Sequence, residues 1–380
     1  MMPVLGYWFG IAWLDAILRL AVIAGVMTVV VIFLTYAERK VIARVQQRLG
    51  PTRTGPAGLL QGVADALKLV LKEDLRPTTA DRWVFELAPF MVFVPVFLTF
   101  VAVPFTRDLG VRFLSLGLFY IVAVSSVNIV GFIMAGWGSD NKYALLGGVR
   151  AAAQMISYEV PLVLTVLGVA MVASSLDIRV ITERQDVVPY IVWQPLAFVV
   201  FIIAGLAEMN RTPFDIPVAE SEVVGGPTVE YSGIRWSFFQ LAEYSSLFVL
   251  SALGADLFLG GYIWPFGSNP PGWLQLILIL VKTSFMILMI FWVRATFPRL
   301  RIDQLMSYCW KVLIPVTVAQ LFFNGLVLVY RWPDILLLVF SGALLVGATA
   351  ATAVAVRRAA RRPRDAQAVR DRRLQYARGA

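Results

Sequence analysis

The chain has 380 residues, 59% of them hydrophobic and 15% charged, with a net charge of +9, no histidine and one cysteine. Soluble domains run at roughly 45–50% apolar and about 25% charged, so this composition belongs to a membrane protein packed as one unit rather than to two or three soluble domains. Without histidine, and with Cys309 alone, an imidazole base, a His-ligated metal or haem, a disulfide framework, a thiolate zinc site and a self-supplied iron–sulfur cluster are excluded.

Nine apolar stretches reach the length of about 20 residues needed to cross a hydrocarbon core of about 30 Å. They predict an all-α, polytopic transmembrane helix bundle with spans near 16–36, 83–105, 113–135, 151–175, 190–209, 236–262, 273–293, 312–330 and 335–356. Residues 1–356 form one transmembrane domain on this reading. Tryptophans such as Trp83, Trp137, Trp236, Trp273 and Trp332 mark the span ends, where amphipathic rings sit at headgroup level. No cleavable signal pattern precedes the first span, which is expected to serve as its own anchor.

After the first span comes a basic segment with Glu38, Arg39, Lys40, Arg44, Arg48 and Arg53. It reads either as a topogenic loop or as the rim of a cavity that admits an amphiphile from the bilayer. Between Pro56 and Lys72, Leu60, Val63, Ala64, Leu67 and Leu71 recur at helical spacing opposite Gln61, Asp65, Lys68 and Lys72. That pattern predicts an amphipathic helix in the interface or under a partner protein.

Charges inside the spans carry the chemistry, because each costs about 2.5–3.5 kcal/mol at a helix centre on insertion scales. Glu159 falls about eight residues into the fourth span, roughly 12 Å at 1.5 Å per residue, and Glu243 at a similar depth in the sixth. Glu208 closes the fifth span, Asp256 lies toward the far end of the sixth, and Lys282 sits near the middle of the seventh. Between the fifth and sixth spans, Thr212 to Tyr231 is a loop broken by Pro213, Pro217, Gly225, Gly226 and Pro227, with the acids Asp215, Glu220, Glu222 and Glu230. Carboxylates at graded depth with a lysine ahead of them suit a proton or cation path, and pairing of these acids with Lys282 or a loop arginine is the structural alternative.

The spans place 26 of the 33 Lys and Arg residues on one side and six on the other, with Lys282 inside. By the positive-inside rule the N-terminus is outside and the C-terminus, with the basic and disordered tail expected over 357–380, is cytoplasmic. The charge therefore speaks for topology and anionic lipid, not nucleic acid.

The loops themselves resemble a known family. Ala37-Glu38-Arg39-Lys40, Arg48-Leu49-Gly50-Pro51-Thr52-Arg53, Ser157-Tyr158-Glu159, Ala207 to Asp215, Glu220-Ser221-Glu222, Glu230-Tyr231-Ser232-Gly233, Ala242-Glu243-Tyr244 and Arg294-Ala295 carry the likeness in order over roughly 37–311. They resemble the family of the membrane-arm quinone-site subunit of respiratory complex I, the bacterial NADH-quinone oxidoreductase.

The resemblance implies a subunit, not catalytic alone, that joins the peripheral arm to the membrane arm and helps wall a quinone chamber. It further implies that Glu159, Glu208, Glu243, Asp215, Glu220, Glu222, Glu230 and Lys282 belong to a proton path toward antiporter-like subunits. Glu38, Arg39, Arg48, Arg53, Asp65, Lys68, Arg211 and Tyr231 would lie around the quinone chamber or a subunit contact. Quinone is the expected substrate. FMN and iron–sulfur clusters are expected in partner subunits, and other partners are peripheral-arm quinone-site and cluster subunits, small membrane-arm subunits and membrane lipids. The expected location is a bacterial inner membrane. Val218, Thr228 and Ile302 stand where many relatives carry a glutamate, a histidine and an aromatic residue. The membrane subunit of an energy-converting hydrogenase-type complex and a stand-alone ion or solute transporter are the competing classes.

Overall fold

The computed structural model describes residues 12–264 and 270–354, and the tail expected over 357–380 lies outside them. Among the described residues the fold is helical throughout, with no strand. Helix α1 covers Ala12–Val45 and leaves the bilayer with its basic last turn, since 34 residues at 1.5 Å per residue make about 51 Å against a core of about 30 Å. The amphipathic segment folds as α2, Gln61–Leu71, with none of its residues buried, so its apolar face is free for lipid or protein.

Helix α3, Arg82–Thr99, begins where the Asp81 carboxylate accepts the backbone N–H groups of Trp83 at 3.1 Å and Val84 at 3.4 Å. Helices α4, Gly117–Ser125, and α5, Asn128–Gly138, run on as one span. Helix α6, Lys142–Ala173, is capped by the Asn141 side chain on the Tyr143 N–H at 2.8 Å and starts nine residues earlier than the apolar run announces. Short helices α7, Ile178–Glu183, and α8, Tyr190–Trp193, lead into α9, Pro195–Glu208.

The fifth apolar stretch is thus interrupted at Gln194, which proline at the next position pushes out of helical geometry. Its 14-residue α9 is shorter than a full span, while among the described residues eight other helices are long and apolar enough to cross. The segment 212–231 folds as loop around the four-residue α10, Glu220–Val223, and a 3₁₀ turn at Gly226–Thr228.

Helix α11, Gly233–Phe258, is the most enclosed span, and α12, Gly272–Thr296, follows it. Helix α13, Ile302–Tyr308, continues through a π-helical turn at Cys309–Leu313 into α14, Ile314–Val329, and α15 covers Ile335–Val354. The last two apolar stretches are separate, divided at Arg331, whose φ is 52°. The main core lies between α6, α9 and α11, with α6 packed on α5, α9 and α14, and α11 on α3 and α12.

Candidate functional site

Two groups of polar side chains meet beside the loop-facing ends of α6, α9 and α11. The first is built on Arg211. Asn210, in the left-handed region at φ 51°, ends α9 by turning the Arg211 N–H back to the Leu206 carbonyl at 3.1 Å. Gln154, buried on α6, donates to the carbonyl of Ala207 in the last turn of α9 at 2.8 Å and to that of Phe214 at 2.8 Å, which fastens the loop to the helix.

This turn delivers a fully buried guanidinium into the bundle. Arg211 Nη1 donates to Glu38 Oε2 at 2.6 Å, and Arg211 Nε lies 2.7 Å from Glu243 Oε1 without being aligned as a hydrogen bond. The guanidinium also stacks 4.4 Å over the Tyr244 ring, and Arg294 from the end of α12 donates to the other oxygen of Glu38. Burial opposes the charge of Arg211, but Glu243 and Glu38 outweigh it and raise its pKa.

The second group surrounds a cavity of about 80 Å³ lined by Glu208, Glu243, Ser125, Asn128, Thr99 and Ser246 among apolar side chains. One water needs roughly 10–15 Å³ by this measure, so the space takes several. Glu159 accepts a hydrogen bond from Ser126, the neighbour of the cavity-lining Ser125. Asn128 Oδ1 is buried with no hydrogen-bond partner among the described residues. Glu243 belongs to both groups, with Arg211 on one side and the cavity on the other.

Around Glu159 the helix is opened by its own sequence. Pro161 has no N–H, so the Ser157 carbonyl four residues earlier loses its helical donor. Cys309 supplies a replacement, donating its thiol to that carbonyl at 3.0 Å, while Trp310 Nε1 reaches Ser157 Oγ at 3.4 Å. The π-helical turn that presents Cys309 precedes Pro315, which likewise cannot donate to a carbonyl one turn back.

The remaining candidate residues are spread more widely. Asp215 pairs with Arg299 at 3.1 Å, Glu222 with Arg150 at 2.8 Å, and Glu230 accepts from Asn141 at 2.6 Å. Burial pushes the Asp215 pKa up, with Arg299 acting against it. The side chain of Glu220 lies outside the described residues. Asp65 binds Arg39 at 2.6 Å and sits 4.0 Å from Lys68, all on the α1–α2 side, where Arg48 and Arg53 are exposed.

Tyr231 is a packing residue in this arrangement, stacked on Phe85 at 4.1 Å with its hydroxyl donating to the Phe85 carbonyl at 3.1 Å. Lys282 does not join the glutamates. Its Nζ donates to the Ile263 carbonyl at 2.7 Å beside the Gly260–Gly261 turn, against which Asp256 also lies.

Sequence reasoning passed over Ser126, Asn128, Gln154 and Arg294 as site residues. Asn128 and Gln154 carried a usable signal, since each is a polar amide within an apolar run. Among the described residues no group of three His, Cys, Asp or Glu side chains could hold a metal.

Residues 18–325 match the NADH dehydrogenase family. The H subunit of NADH-quinone oxidoreductase from Brevibacillus brevis is 49% identical over 326 residues, covering 85% of this chain and 94% of the relative. That of Anoxybacillus flavithermus is 50% identical over 323 residues, covering 83% and 96%. That of Dehalococcoides mccartyi strain CBDB1 is 47% identical over 309 residues, covering 81% and 86%.

Proposed function

This chain belongs to the family of the NADH-quinone oxidoreductase H subunit, a membrane component of that enzyme complex, and we propose that it helps form the quinone chamber and couples quinone reduction to proton pumping. The single observation that supports the coupling role is the double membership of Glu243, which touches Arg211 and lines the cavity that Glu208 shares.

On this reading, quinone reduced in the chamber changes the charge felt by Glu38 and Arg211. Any such change alters how strongly Arg211 holds Glu243 in its ionised form. A proton taken up or lost at Glu243 then changes the field at Glu208, and through Glu208 at Glu159, with cavity waters as carriers. The loop acids Asp215, Glu220, Glu222 and Glu230 extend the path toward the chamber, and Arg39, Arg48, Arg53, Asp65 and Lys68 border its entrance or a partner contact. The flavin and clusters belong to partner subunits, since one cysteine and no histidine cannot hold a cluster here.

The topology proposed with it is one transmembrane domain over 1–356 in a bacterial inner membrane, with the loops 37–82 and 210–235 and the C-terminus on the NADH side. The family relationship favours this complex over the hydrogenase-type and transporter readings. The test is glutamine at Glu159, Glu208 and Glu243 together in assembled enzyme reconstituted into vesicles. Fewer protons pumped per electron from NADH is the expected result, and an unchanged ratio sinks the proposal.

A further inference from the structure

A second site with ionisable side chains, the buried Asp256 and the partly buried Lys282, lies about 13 residues beyond Glu243 on α11, roughly 20 Å along the helix axis. Asp256 is fully buried, and neither of its carboxyl oxygens has a hydrogen-bond partner among the described residues. Lys282 on α12 reaches the glycine turn that follows α11 without closing an ion pair with Asp256: a Cβ at Gly260 would stand 3.8 Å from Lys282 Nζ, which donates to the Ile263 carbonyl at 2.7 Å.

The surroundings hold this arrangement open. The turn after α11 folds back through Gly260 and Gly261, with the Gly261 N–H on the Ala255 carbonyl at 2.9 Å. A Cβ at Gly261 would stand 2.1 Å from Asp256 Oδ1, so only glycine leaves the carboxyl its place. Gln185 spends its N–H groups on the backbone carbonyls of Asp256 at 2.8 Å and Ile181 at 3.2 Å, and its oxygen on the Tyr190 N–H at 3.1 Å. A structural pair would satisfy its carboxylate with donors, because an unpartnered buried charge is costly. Around the pair, Tyr262 stands on the turn with its hydroxyl buried and unpartnered, and Arg179 and Glu183 face it from α7, Glu183 paired with Arg107 at 3.3 Å.

We propose that Asp256 and Lys282 form a proton-exchange site that serves the compartment opposite the NADH side, separate from the glutamates around the cavity. Uptake converts the Asp256 carboxylate and one hydronium into carboxylic acid and water, with the Lys282 ammonium balancing the carboxylate in the proton-free state. Release returns the same proton to the same compartment. Its occupancy lets turnover respond to the acidity of that compartment. The direction, though not the site, rests on the topology proposed above.

The test uses the assembled complex in sealed vesicles with its NADH site outward. NADH:quinone activity is followed while the lumenal pH is varied at constant external pH, together with infrared difference spectra of the carboxylic-acid region upon a pH jump. The expected result is a lumenal pH response and a carboxylic-acid band that are both lost in Asp256→Asn and both restored in Asp256→Glu. Lys282→Met, as a second variant, shifts the midpoint of the response. The proposal is overturned if Asp256→Asn leaves response and band unchanged, or if the response follows sodium concentration at fixed pH. A band lost in Asp256→Asn with a response that follows the external pH overturns the direction and, with it, the topology.

Discussion

Arg211 and Glu38 lie 173 positions apart in the chain and meet at 2.6 Å in the interior, with one hundredth of the Arg211 side chain and one twentieth of the Glu38 side chain exposed. Removing Arg211 leaves Glu38 with Arg294 as its remaining partner and takes the cation away from Glu243, so the cost falls below the about 3–5 kcal/mol of breaking an isolated buried pair. Arg211→Gln should therefore lower the thermal stability of the purified complex and its yield. Arg211→Gln combined with Glu38→Gln should lose less than the two single changes added together, and a strictly additive pair of losses would argue against direct coupling.

The thiol of Cys309 stands in for the donor that Pro161 lacks, so its loss should cost a hydrogen bond, about 0.5–1.5 kcal/mol. Cys309→Ala is expected to lower the melting temperature and Cys309→Ser to recover much of it. In a Pro161→Ala background the Ser157 carbonyl regains its helical partner, and Cys309→Ala should become close to neutral. A full penalty there would contradict the substitution of one donor for another.

The loop after α9 is pressed against α6 where two glycines meet. A Cβ on Gly147 would lie 2.4 Å from Gly226 Cα, a backbone atom that cannot rotate away. Gly147→Ala should cost at least the ~1–3 kcal/mol typical of overpacking. Faster protease cleavage within 212–231 would report the loosened loop, and unchanged protection would show that the loop is held elsewhere.

Asp215 gives a pH dependence with a definite sign. Burial raises its pKa in the folded chain, so the folded state holds the proton more tightly than the unfolded one. Stability from this group is complete below the ordinary aspartate range of about 3.9 and is lost as pH rises through that range toward the raised value. Compared with Asp215→Asn, the natural protein should melt progressively lower across that interval. Thermal melts of both proteins against pH measure the difference, and parallel curves would remove the burial argument. Arg299→Gln should widen the interval, because Arg299 opposes the shift.

Much of this molecule can be read without coordinates, because the length of an apolar run and the sidedness of Lys and Arg are one-dimensional properties. The membrane class, the all-helical fold, the amphipathic α2 and the acids placed within apolar runs all follow from them. What decided the site was the packing of helices distant in sequence. Nothing in the order of residues says that Glu243 finds Arg211 rather than Lys282, or that Lys282 and Asp256 lie against the same glycine turn. Ser126 on Glu159 and Cys309 on Ser157 were equally hidden. Such pairs depend on where α9 stops at Asn210, on the break at Gln194, and on the rotation of α11 between α3 and α12. A rotation of one residue, about 100° on a helix, would exchange every partner while leaving the hydropathy of each span unaltered.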